Sequence, residues 1–70
     1  MKRRSSKHSL IGVKIFKTRL VLGMTLPELA KKSGVSKGLL SRLETSKQNP
    51  TLGTLEKIAK ALGVEVGDLV

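Results

Sequence analysis

Residues 25 to 45 read TLPELAKKSGVSKGLLSRLET. Thr25 stands where a helix needs an N-cap, and Glu28, three residues on, can return the hydrogen bond, which makes a capping box. Leu26, Leu29 and Ala30 give the helix that follows one apolar side. Gly34 ends it, because glycine enters the left-handed conformation of a helix terminus without a Cβ penalty. Val35 plugs the corner. Ser36 caps a second helix, from which Leu40 and Leu43 turn inward while Lys37 and Arg42 turn outward. The stretch is therefore two short helices joined by a tight glycine turn, with cations on the outer side of the second.

That pattern is a helix-turn-helix, whose second helix can enter a DNA major groove. Upstream, Ser9 to Leu22 reads as a first helix with Ile11, Ile15 and Leu22 on one face, closed by Gly23. Val13, Phe16 and Leu20 add a second apolar stripe. It is expected to be core against a neighbouring helix; exposure would instead mark a partner surface. Residues 1 to 8, MKRRSSKH, have no apolar residue after the initiator and read as a flexible basic arm, with the folded domain over residues 9 to 70. Downstream, TSKQNP (45 to 50) is a polar loop ended by Pro50. Thr51 caps another helix, in which Leu52, Leu55, Ile58, Ala59 and Leu62 fall at helical spacing before Gly63. Val64, Val66, Leu69 and Val70 form a last apolar turn, weakened by Gly67. There is no strand-like alternation and no internal repeat. The expected fold is all-α, a compact bundle of about five short helices.

Composition narrows the partner. In 70 residues, 14 Lys and Arg stand against five Asp and Glu, a formal net charge of +9. A basic domain this small fits a polyanion, either nucleic acid or an anionic membrane surface. Phe16 is the sole aromatic residue, so the chain has no stacking platform of the kind that holds single strands. Duplex DNA rises accordingly. With no cysteine, stability rests on helix packing alone. Met1, Lys2, Arg3 and Arg4 begin like a secretion signal, but Lys14, Lys17 and Arg19 interrupt the apolar region that would have to follow. No run is long enough to span a bilayer, and a soluble cytoplasmic protein is expected.

From Ile11 to Val70 the chain resembles the XRE/Cro family of helix-turn-helix domains, the fold of lambda-type repressors. IGVKIFKTRLVLGMT resembles the family's first helix, ELAKKSGVS its second helix and turn, LLSRLETSKQNPT its recognition helix and following loop, and LEKIAKALGV its fourth helix. The resemblance implies that residues opening the recognition helix (about 36 to 45) face base edges. Here these are Lys37, Gly38 and Leu39, with Arg42 a turn later. Lys and Arg can donate to guanine acceptors. Arg42 is either a base reader or a solvated charge, and Lys37 a base reader or a phosphate contact. Gly38 can only permit close approach. Leu39 touches a thymine methyl or packs. Phosphate contacts, which carry affinity and not sequence information, are implied for Thr25, Ser36, Ser41, Lys47 and Asn49. Thr25 and Ser36 already serve as caps, and a capped N-terminus also presents N–H groups to a phosphate. The resemblance further implies a structural ion pair, Arg19 with Glu44.

The chain departs from the family pattern in three ways. Leu26 replaces a glutamine that often touches DNA, Ser46 replaces the loop glycine, and Val13, Phe16 and Leu20 are apolar where polar residues are usual. No enzyme is expected, and neither metal nor cofactor. His8 lies in the arm, Glu28, Glu44, Glu56, Glu65 and Asp68 are scattered, and GVSKG lacks phosphate-loop spacing. The leading reading is sequence-specific binding of double-stranded DNA by a transcriptional regulator. It implies a homodimer, formed in solution or only on DNA, and leaves open a C-terminal sensor domain in a longer protein. A protein-interaction module of the same fold, an antitoxin or bridging factor, is the first alternative. A cationic protein on a membrane surface is the second, though the caps and glycine breaks favour a packed globule.

Overall fold

The computed structural model describes residues 10 to 45 and 48 to 70. The basic arm, Ser9, Ser46 and Lys47 lie outside the described residues. Four α-helices run α1 Leu10–Val21, α2 Leu26–Ser33, α3 Lys37–Thr45 and α4 Leu52–Leu62, followed by one 3-10 turn, Val66–Asp68. The expected fifth helix is thus a single turn.

Each boundary has a local cause. Gly23, Gly34 and Gly63 all hold positive φ, between 67° and 74°, where any other residue would be strained. Thr51 Oγ1 accepts the Thr54 N–H at 3.2 Å to open α4. At the start of α2 the capping box is complete. The Thr25 N–H donates to Glu28 Oε1 at 2.8 Å, and the Glu28 N–H donates to Thr25 Oγ1 at 3.2 Å. The Thr25 backbone bond, then the Thr25 side chain, hold the Glu28 carboxyl below its ordinary pKa, with a smaller contribution from Lys32. A carboxyl depressed in the folded state stabilises most above its unfolded value, and that stabilisation fades as pH falls through the folded value. Wild type should therefore lose more stability than Glu28→Gln between about pH 5 and pH 3. Urea melts followed by circular dichroism at each pH would check this. Parallel curves would remove the charge from the cap.

The core is Ile15, Leu29, Val35, Leu40, Leu43, Leu55, Ile58, Ala59, Leu62 and Leu69. α2 packs on α4 and on α3, and α1 packs on α3. Every helix contributes, so no pair could bury its apolar side alone. Two expectations are corrected. Phe16 and Leu20 are not core: they are 41% and 53% exposed, with Val13 half-buried. Ile15 and Arg19 already fill the side of α1 that meets α3. Leu22 and Leu52 fit the apolar periodicity of their helices but are exposed. Leu22 falls in the turn after α1 has ended. Leu52 is the first residue of α4, where no neighbouring helix reaches over it.

Candidate nucleic-acid interface

α3 is held in place by three residues. Leu40 and Leu43 are fully buried, and Glu44 nearly so. At about 100° per residue, the opposite ridge carries Gly38 and Arg42, four apart, with Ser41 and Thr45 beside them and Lys37 on the flank. Lys37, Gly38, Arg42 and Thr45 are exposed and Ser41 is half-buried. The only acid on α3 turns inward, so the outward surface of the helix is positive.

Glu44 is neutralised by Arg19. Arg19 Nε donates to Glu44 Oε2 at 2.9 Å and Nη2 donates to Oε1 at 3.0 Å. This is the two-pronged guanidinium–carboxylate geometry, among the stronger charge-assisted pairs. Arg19 Nη1 also donates to the Met24 carbonyl at 2.8 Å. One side chain of α1 thus ties together α3 and the turn before α2. The bond to Glu44 raises the Arg19 pKa above its already high ordinary value, against the opposing effect of burial.

The other proposed contacts lie at helix N-termini, within α3 and in the loop before α4. Ser36 Oγ accepts the Leu39 N–H at 3.1 Å. Thr25 is engaged in its capping box, and Asn49 is exposed in the loop before α4. The Ser41 carbonyl accepts the Thr45 hydroxyl at 2.7 Å. Leu39 is half-buried against the core, which favours packing over a thymine contact. Among the described residues no three His, Cys, Asp or Glu side chains gather as a metal site requires. Sequence reasoning missed two contacts. Ser33 is buried at the end of α2 and its Oγ accepts the Val35 N–H at 3.1 Å. A serine at that place reads as solvated, and nothing in the pattern says otherwise. The Arg19 guanidinium also stands 5.4 Å from the Phe16 ring centre, a pairing readable from their spacing of three on one helix.

Residues 15–69 match the HTH_3 helix-turn-helix family. The chain belongs to that family. The XRE-type resemblance and the all-helical fold therefore stand together. Relatives include an uncharacterized HTH-type transcriptional regulator, y4dJ, of Sinorhizobium fredii, 41% identical over 87% of this chain and 79% of its own length. The HTH-type transcriptional regulator SinR of Bacillus subtilis is 42% identical over 87% of this chain. The chain spans only 56% of SinR's length. Among solved structures, SinR in complex with DNA matches with a TM-score of 0.80 at 42% identity, covering 84% of this chain and 95% of that one. The chain is thus a helix-turn-helix domain of the kind carried by transcriptional regulators.

Proposed function

We propose that this domain binds double-stranded DNA with sequence preference, as the reading head of a transcriptional regulator, with α3 in the major groove. The observation that carries the reading is the asymmetry of α3. Its inner side is locked by Leu40, Leu43 and the Arg19–Glu44 pair, which turns the one acid of α3 inward, and its outer side carries Lys37, Gly38 and Arg42. The likeness to SinR, solved with DNA, supports it. In this reading Arg42 and Lys37 reach base edges, while Thr25, Ser36, Ser41, Lys47 and Asn49 meet phosphates. One recognition helix reads few bases, so two copies bind a near-palindrome with half-sites about one helical turn apart. Selection from random duplexes, followed by footprinting, tests this directly. A symmetric motif is expected, and an asymmetric footprint of one copy would overturn the pairing. Deleting residues 1 to 8 should weaken specific and random duplexes alike and flatten the salt dependence, as lost phosphate neutralisation does.

Gly38 supplies a sharper test. Its φ is not positive, and an added Cβ would meet nothing within 4 Å. The fold itself has no need of glycine there, and glycine costs a helix up to about 1 kcal/mol relative to alanine. In this reading the bare backbone lets α3 approach the bases. Gly38→Ala should raise stability in urea melts while weakening duplex binding. If affinity rises along with stability, α3 is not closely seated at this point.

A further inference from the structure

α1 has no single polar side, because Lys14, Lys17, Thr18 and Arg19 are interspersed among its apolar residues, whereas α2, α3 and α4 each have a distinct one. Only the arc around Ile15 and Arg19 is buried. Leu10, Val13, Phe16, Leu20 and Val21 lie away from that arc, with Leu10 64% and Val21 85% exposed. Of these, Leu10, Phe16, Leu20 and Val21 are exposed and Val13 is half-buried.

The face also has shape. Val13, Phe16, Glu44 and Thr45 line a depression of about 260 Å³ between α1 and the end of α3. That is room for one bulky apolar side chain, and such anchors in pockets carry most of the energy of protein interfaces. A lipid surface has no use for a notch. Charge then selects among protein partners. α1 contains no acid. Lys17 is exposed along the stripe, and Lys14 reaches the Val70 main-chain oxygen at 2.7 Å. A second copy would bring lysine against lysine on a chain of net charge +9. An acidic rim would meet these lysines favourably.

We propose that the outward face of α1 docks an amphipathic helix of another protein, one with a bulky apolar anchor for the Val13–Phe16–Thr45 notch and acidic residues flanking its apolar stripe. The notch lies at the end of α3 away from Lys37. Thr45 stands eight residues from Lys37, on the order of 12 Å along the helix at 1.5 Å per residue.

The probe is a synthetic, helix-stapled peptide with Leu at positions i, i+3 and i+7 and Glu on its flanks. Its controls carry Lys for Glu, or Ser for Leu. Each is titrated into the isotopically labelled full chain and followed by amide chemical shifts. The Leu/Glu peptide should move the signals of Val13, Phe16, Lys17, Leu20 and Thr45, and both controls should not. The double variant Leu20→Ser/Val21→Ser, which leaves the Arg19 contacts intact, should weaken the peptide by about tenfold or more. Its melting temperature and duplex affinity should stay as in wild type. Equal binding of the Lys-flanked peptide would overturn the acidic partner. Self-association in sedimentation that Leu20→Ser/Val21→Ser abolishes would overturn it in favour of a second copy. The same α1 shifts on vesicles of phosphatidylserine, with none on the peptide, would overturn it in favour of a membrane.

Discussion

Glu44→Ala should lower the midpoint of thermal unfolding by roughly 12–24 °C, from a loss on the order of 3 kcal/mol in a domain of this size. The reason is what the substitution leaves behind. Arg19 would keep its bond to the Met24 carbonyl but lose both carboxylate partners, in a site where its side chain is only 10% exposed. A chain this short has a total stability of roughly 4–10 kcal/mol, so the loss approaches a large share of it. Removing both partners tells a different story. Arg19→Met with Glu44→Leu should recover much of the loss, because a buried pair is often no better than well-packed apolar groups of like volume. Arg19→Lys with Glu44 intact should itself lose stability, since an ammonium cannot serve two carboxylate oxygens and a carbonyl from one plane. Melts followed by circular dichroism measure all three, the chain having no Trp or Tyr. An unchanged midpoint for Glu44→Ala would exclude the pair as the clamp on α3.

Arg42→Ala should cost about 1–3 kcal/mol, roughly 5- to 150-fold, on the preferred duplex, and much less on random sequence. It should also relax the choice at one base pair in each half-site. Arg42 is exposed on α3's outward ridge, so its truncation leaves the core intact. The two variants therefore separate two routes to lost binding. Glu44→Ala loses DNA because the reading helix is no longer held, and Arg42→Ala because a held helix reads one base fewer. Paired titrations on selected and random duplexes decide the second. Equal losses on both would make Arg42 a phosphate contact.

Sequence by itself determined the helices and where they stop. Thr25, Glu28, Ser36, Thr51 and the glycines at 23, 34 and 63 act on backbone groups within four residues of themselves, and such local chemistry is legible without a fold. Leu29, Leu40, Leu43, Leu55, Ile58 and Leu62 were readable as core for the same reason: helical spacing alone sets which side they share. The Arg19–Glu44 pair was reachable only through a family resemblance, because 25 residues separate its members and no local rule joins them. The exposure of Phe16, Leu20, Leu22 and Leu52 was decided by tertiary structure alone. Periodicity says which residues share a face, but not which face finds a neighbour or how far that neighbour extends. On α1, which has no single polar side, the sequence offers two candidate apolar faces. Only the packing of α1 on α3 through Ile15 and Arg19 chooses between them, and it leaves the other to solvent or to a partner.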